Sequence, residues 1–167
     1  MSTLRSGPAA QRGFTLIEAI VAMTILVVLA GMGASSFAWL NQTTRIRAAA
    51  FDLVADLDFA RSEAIKRNAD VVVAPIVVGA VTSWNNGWTV TFTGGTPVTT
   101  TVLRQRGALG GQVAFDTEPG APLTYNAAGR VNAANFQICP PTRGSLSGRT
   151  IRVDPSGLSR STKTTCA

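Results

Sequence analysis

Apolar residues are concentrated near the start of the chain. From Phe14 to Leu40 the sequence is almost entirely apolar, and Glu18 is its only charged residue. A helix over this span would be about 40 Å long, which exceeds the roughly 30 Å apolar core of a bilayer. Basic residues precede the span and few follow it, so the N-terminus is expected in the cytoplasm. The pattern predicts one membrane-spanning helix.

Three kinds of segment share this pattern: a cleaved secretory signal, a permanent signal anchor, and a short leader followed by a transmembrane helix. The apolar run is longer than that of a usual secretory signal. A carboxylate inside an apolar run is costly in a membrane and usually marks function. Glu18 therefore favours the third kind of segment.

A second, amphipathic pattern covers residues 43–67. Its apolar positions recur at helical spacing, joined by Val54 and Ile65: Leu53, Leu57, Ala60 and Ala64. Charged residues fill the expected polar side: Asp52, Asp56, Asp58, Arg61, Glu63, Lys66 and Arg67. We therefore expect one long helix that ends near Asn68, with its second half packed on a sheet.

After Asp70 the pattern changes to short β-branched runs separated by turn residues. Pro75 interrupts the first run, and the segments 136–139 and 150–153 give the strongest strand signals. Asp154 to Gly157 is typical of a turn. One helix followed by about six to eight short strands predicts an α+β fold.

Site chemistry is sparse in this sequence. The chain has no histidine, which is the commonest general base and metal ligand. The glycine pairs at 94–95 and 110–111 do not match phosphate-binding loops. We therefore expect no catalytic residues, no cofactor and no metal, and the chain is not expected to be an enzyme.

The two cysteines are Cys139 and Cys166. An even cysteine count in a chain that leaves the cytosol favours a disulfide, and two free thiols are the alternative. A bridge would close a loop of about 27 residues, worth roughly 3–4 kcal/mol in the chain-entropy model.

The formal net charge is +6, and the C-terminal half is basic. Its candidate anion-binding residues are Arg149, Arg152, Arg160 and Lys163. Two interpretations stay open: solubility with an acidic neighbouring subunit, or contact with nucleic acid. On one strand, Arg149 and Arg152 would face opposite sides. No aromatic residue lies among these cations, so stacking on single strands is unsupported.

The segment Arg12-Gly13-Phe14-Thr15-Leu16-Ile17-Glu18 resembles the type IV prepilin processing motif. The resemblance implies that a prepilin peptidase cleaves between Gly13 and Phe14 and that the new Phe14 amine is methylated. It implies three parts: a leader over 1–13, a transmembrane or filament-core helix over 14–40, and a periplasmic domain over 41–167. The mature chain would cross the bacterial inner membrane once.

The resemblance also gives Glu18 an assembly role. Cleavage creates an ammonium group at Phe14, one helical turn from Glu18. In a dry filament core, Glu18 of one subunit would pair with the Phe14 ammonium of its neighbour. That pair would fix the register, because an unpaired buried charge costs several kcal/mol. Glu18 reaching the membrane interface, or lying there protonated, is the alternative.

The later sequence is similar to the GspH/FimT branch of pilin-like proteins. The similarity rests on Leu53 through Arg67, Asn86-Gly87-Trp88, the Gly129-Arg130 turn and a cysteine near the start of a late strand. It implies a pilin fold, in which the long helix packs on an antiparallel sheet. It also implies a minor pilin or pseudopilin in the tip or initiation complex of a type IV pilus or type II secretion pseudopilus. The expected partners are other minor subunits and the major subunit.

Some pilus members of this branch bind DNA through a Gly-Arg-x-Arg motif, which makes DNA uptake the alternative function. The matching segment here is Gly157-Leu158-Ser159-Arg160, in which Leu158 replaces the first arginine. An unrelated membrane-anchored or secreted domain is a third hypothesis.

Overall fold

The computed structural model describes residues 14–111, 113–141 and 147–166; side chains are described for these residues except 30 and 32–39. The chain divides into two compact units, Met1–Trp39 and Leu40–Ala167.

A single long helix, α1, runs from Leu16 to Arg67. Asn68 ends it with a positive φ of 50°, and its backbone N–H donates to the carbonyl of Ile65 at 3.2 Å. Asparagine tolerates this left-handed conformation better than most residues. The predicted long helix and its end near Asn68 are confirmed.

The first unit contains the apolar part of α1. Its large apolar side chains are exposed around the helix: Leu16, Ile17, Ile20, Val21, Met23, Ile25, Leu26, Val27, Val28 and Leu29. Over the part of the chain that the structure describes, no helix is both long and apolar enough to cross a membrane. The predicted span of 14–40 includes residues whose side chains are not described, and it stays a prediction.

Among the described residues of the second unit, the rest of α1 is followed by ten strands and one short 3₁₀ helix, η1. The elements are β1 (Val71–Pro75), β2 (Val77–Val78), β3 (Val81–Thr82), η1 (Trp84–Asn86), β4 (Trp88–Gly94), β5 (Thr99–Arg106), β6 (Ala114–Thr117), β7 (Leu123–Tyr125), β8 (Ala134–Cys139), β9 (Ser147–Val153) and β10 (Ser159–Thr165).

The strands form two four-stranded sheets and one small hairpin. The first sheet has the order β5-β4-β1-β7, the second has the order β10-β9-β8-β6, and β2 pairs with β3. Every pairing is antiparallel. The predicted α+β pilin fold, a long helix packed on antiparallel strands, is confirmed, with the strands divided between two sheets.

The core lies in the second unit and joins α1 to both sheets. The predicted stripe of Leu53, Leu57, Ala60 and Ala64 has no exposed surface. The ring of Phe136 on β8 packs edge-on against Trp84 of η1, with 4.8 Å between centroids. Such aromatic pairs contribute beyond their buried area.

Several details differ from the sequence interpretation. Asp56 and Glu63, expected on the polar side of α1, are buried, whereas Ile65, expected with the apolar stripe, is exposed. Arginine side chains from the neighbouring sheet bind Asp56 and make its burial tolerable. The segment after Gly157, which has no apolar alternation, forms a seven-residue strand, β10.

Candidate functional site

The N-terminal site begins at Phe14, whereas Gly13 and the rest of the expected leader lie outside the described residues. Phe14 is 83% exposed. Glu18 lies in the first turn of α1, and its side chain is exposed. Its position leaves the carboxylate accessible to a group on another molecule.

Thr15 caps the start of α1. The backbone N–H of Glu18 donates to Thr15 Oγ1 at 3.3 Å. With Glu18 three residues later, Thr15 completes the pattern of a capping box. An acidic residue in the first turn is also stabilised by the helix dipole. Sequence reasoning missed this cap, although the Thr-x-x-Glu spacing before an apolar run was its signal.

The four candidate anion-binding residues lie on the β9–β10 hairpin. The antiparallel register places Arg160 opposite Arg152 and Lys163 opposite Arg149. Strand β10 is an edge strand of the second sheet. The hairpin therefore presents two cross-strand pairs of cations.

These two pairs lie on opposite faces of the sheet, as the odd spacing predicts. Arg149 shares its face with Ile151 and Val153, which are buried in the core. Arg152 and Arg160 are exposed on the outer face. The structure thus separates the four cations into an outer pair, Arg152 and Arg160, and an inner pair, Arg149 and Lys163.

The outer pair has no acidic partner within the part of the chain that the structure describes. Arg152 Nε donates to Oδ1 of Asn135, its neighbour on β8, at 3.4 Å. Neither Arg152 nor Arg160 forms an ion pair with another residue of the described ranges. Like charges directly opposite on adjacent strands are unfavourable. An anion bound between the two guanidinium groups would relieve that repulsion.

Cys139 and Cys166 form the predicted disulfide, with 5.9 Å between their Cα atoms. The bridge connects the end of β8 to the residue after β10 and passes over Gly148 of β9. A β-carbon at Gly148 would lie 3.0 Å from Cys139 Sγ and closer still to Cys166 Sγ. Glycine at this position therefore provides the room that the bridge occupies.

A buried ionic cluster connects α1 to the first sheet. Asp56 accepts hydrogen bonds from Trp88 Nε1 at 3.0 Å, Arg104 Nη1 at 2.9 Å and Arg106 Nε at 3.0 Å. Arg106 also reaches Asp52 at 3.3 Å. The hydrogen bond to Asp56 raises the pKa of Arg106 above its usual value. Three donors satisfy the buried carboxylate, so the cluster fixes β4 and β5 against the helix.

The only tyrosine of the chain, Tyr125, lies on β7 and is fully buried. Its hydroxyl group forms no well-aligned hydrogen bond among the described residues, although the Ser159 hydroxyl lies near enough to lower the Tyr125 pKa slightly against the effect of burial. Burial raises the pKa of Tyr125 to about 12. Desolvation also raises the pKa of Asp58 on α1, and the charge of this carboxylate adds to the rise in the Tyr125 pKa.

Over the described ranges, no group of three His, Cys, Asp or Glu side chains is placed to hold a metal ion.

Two family models match the chain. The model of the type II transport protein GspH matches residues 49–157, and that of the prokaryotic N-terminal methylation motif matches residues 8–34. No curated protein matches the sequence.

Solved structures of two proteins illustrate the shared fold. The type IV minor pilin FimU of Pseudomonas aeruginosa (strain PAO1) is 20% identical, with a TM-score of 0.58 over 72% of this chain and 90% of FimU. The minor pseudopilin EpsH from the type 2 secretion system of Vibrio cholerae is 16% identical, with a TM-score of 0.55 over 71% of this chain and 96% of EpsH.

Proposed function

We propose that this chain is a minor pilin or pseudopilin, because it belongs to the type II transport protein GspH family. It assembles through its N-terminal helix into the tip or initiation complex of a type IV pilus or type II secretion pseudopilus. The exposed apolar surface of α1 between Leu16 and Leu29 carries this proposal. A helix that is apolar on all sides requires an apolar environment, which a bilayer and then a bundle of neighbouring helices supply.

Processing at the N-terminus prepares the assembly step. A prepilin peptidase removes residues 1–13, and the amine of Phe14 becomes the methylated N-terminus. The match of the methylation motif over residues 8–34 supports this processing. The mature chain stays in the inner membrane through α1, with residues 41–167 in the periplasm. The disulfide between Cys139 and Cys166 suits that oxidising compartment.

Glu18 then sets the position of the subunit in the filament. Its exposed carboxylate pairs with the Phe14 ammonium group of a neighbouring subunit. In a bundle of apolar helices, a shifted register would leave both charges unpaired, at several kcal/mol. The pair therefore selects one axial offset between this subunit and other minor subunits or the major subunit.

The chemistry of the mature N-terminus tests this function. The full chain is extracted from the membranes of its native host, its intact mass and N-terminal peptide are measured, and co-purifying pilin-like subunits are identified. We expect a chain that begins at methylated Phe14 and carries other pilin-like subunits. A chain that begins at Met1, or one cut near Ser35 as an ordinary secretory protein would be, contradicts the proposal.

Capture of DNA is a second candidate function. The pairing of Arg152 with Arg160 on the exposed outer face favours it. Phosphate contacts of this kind are independent of sequence and weaken steeply with salt. The full chain in detergent should shift a labelled DNA duplex at low salt, and replacing both arginines by glutamate should abolish the shift. No shift at about 50 mM salt contradicts this function, because non-specific binding is strong there.

A further inference from the structure

A groove between α1 and the β9–β10 hairpin lies entirely within the second unit and is not used by the functions described above. We call it the Phe51 groove; its volume is about 490 Å³. It is lined by Thr44, Arg47, Ala48, Phe51, Val54, Arg149 and Ser161.

The helical side of the groove is built from one face of α1. Arg47, Phe51 and Val54 are four and three residues apart, a spacing that aligns side chains on a helix. Phe51 is 74% exposed, although neighbouring positions of the same helix are buried in the core. An exposed aromatic ring on a rigid element, beside apolar neighbours, is typical of a protein-docking surface.

The rim of the groove is cationic. Arg47 contributes a guanidinium group from the helix, and Arg149 contributes one from β9. Lys163 lies opposite Arg149 on the same face of β10. Within the described residues none of these three cations forms an ion pair, and no acidic residue lines the groove.

We propose that the Phe51 groove docks an acidic segment of a different protein subunit, with an apolar side chain of that segment against Phe51. Carboxylates would pair with Arg47 and Arg149 at the rim, where charge complementarity steers docking and sets specificity. The inference rests on the proposed function, since the partner is another subunit of the same assembly.

Two features favour this occupant over the alternatives. A nucleic acid backbone would make polar contacts with the groove but would not fill the apolar floor formed by Ala48, Phe51 and Val54. The exposed outer pair, Arg152 and Arg160, is the better candidate for phosphate contacts. A second copy of this chain is a poorer match, because basic residues outnumber acidic ones even after Arg5 and Arg12 are removed with residues 1–13. Three of the nine acidic residues, Asp52, Asp56 and Glu63, are also bound to the chain's own arginines or lysine.

Photo-crosslinking in the native assembly tests the proposal. Phe51 is replaced by p-benzoylphenylalanine in the full chain, which its exposed position should tolerate. The host cells are irradiated, and the crosslinked peptide is identified by mass spectrometry. We expect a segment of another pilin-like subunit that contains at least two acidic residues and an apolar one. A crosslink to DNA, to lipid or to this same chain, or no crosslink at all, overturns the proposal.

Charge reversal supplies the matched comparison. Arg47→Glu with Arg149→Glu should lower the crosslink yield at least about tenfold, the effect of about 1.4 kcal/mol. Lysine substitutions at the partner's acidic positions should restore the yield. Arg152→Glu with Arg160→Glu makes the same charge change on the outer face and should leave the yield unchanged. Equal loss from both double variants overturns the proposal.

The same experiment separates this inference from the proposed function. If other pilin-like subunits still co-purify with the chain but the crosslink at Phe51 does not form, the groove is not the docking site and the proposed function stands. If no pilin-like subunit co-purifies, the proposed function fails as well.

Discussion

Arg104 on β5 reaches the fully buried carboxylate of Asp56 on α1, with 2.9 Å between Arg104 Nη1 and Asp56 Oδ1. The arginine keeps 42% of its side chain exposed and rests on the ring of Phe59, 3.9 Å from the ring centroid. The pair therefore joins the partly exposed guanidinium group of Arg104 to the buried carboxylate of Asp56. Most of the ionic contact between α1 and the first sheet therefore depends on one carboxylate, in addition to the apolar core.

The first prediction concerns that carboxylate. Asp56→Ala should destabilise the chain by about 3 kcal/mol, because it removes a buried ion-pair partner and leaves the indole N–H of Trp88 unsatisfied. Asp52→Ala removes a partly exposed carboxylate from the same cluster and should cost less than about 1 kcal/mol. Denaturant unfolding of the two variants measures both changes. Equal losses of unfolding free energy would show that burial does not determine how much each carboxylate contributes to stability.

The second prediction concerns the disulfide. Replacing Cys139 and Cys166 together by serine should lower the free energy of unfolding by about 3–4 kcal/mol, because the reduced chain regains loop entropy over about 27 residues. Gly148→Val keeps both cysteines but fills the space that the bridge occupies. That variant should fail to form the disulfide, so a thiol assay should detect free cysteines. A fully oxidised Gly148→Val chain would contradict the packing described for Gly148.

The third prediction concerns Tyr125, whose titration is directly visible because the chain has no other tyrosine. Absorbance near 295 nm should report a midpoint of about 12 in the folded chain, and about 10 in urea. The raised pKa favours the protonated form in the folded state. Its contribution to stability is thus complete below about pH 10 and is lost as the pH rises toward about 12.

Tyr125→Phe is the control for that titration. It removes a buried hydroxyl group that forms no well-aligned hydrogen bond and has only the Ser159 hydroxyl nearby, so stability at neutral pH should change little or increase. The decline of stability between about pH 10 and pH 12 should become smaller in this variant, because the titrating group is gone. An unchanged alkaline decline would show that other groups cause it.

The helix and its apolar stripe could be predicted from the sequence because both depend on local periodicity. Leu53 and Leu57 are buried where their spacing places them. Asp56 could not be predicted as buried, since its partners Arg104 and Arg106 are about fifty residues away and reach it only after β5 pairs with β4. Periodicity alone places an aspartate on the polar side.

The second strand of the cationic hairpin could not be recognised from sequence for a different reason. Residues 159–165 are polar or charged throughout, so they lack the alternation that identifies a strand. Their strand conformation comes from pairing with β9 along its whole length. That pairing also decides which cations share a face, which the sequence indicated only for Arg149 and Arg152.

The proposed role of the Glu18 carboxylate in assembly is distinct from the role of Glu18 in the helix cap. Two substitutions separate the two roles. Glu18→Gln removes the charge but retains a side chain that serves in a capping box. Thr15→Ala removes the hydroxyl that accepts the Glu18 N–H, which should cost about 1 kcal/mol of helix stability, and leaves the carboxylate in place.

The most direct measurement is the amount of other pilin-like subunits that co-purify with the full chain, compared between these two variants at equal levels in the membrane. We expect Glu18→Gln to insert normally but to lose its partners, whereas Thr15→Ala should keep them. Normal recovery of partners with Glu18→Gln would show that the Glu18 charge does not direct assembly.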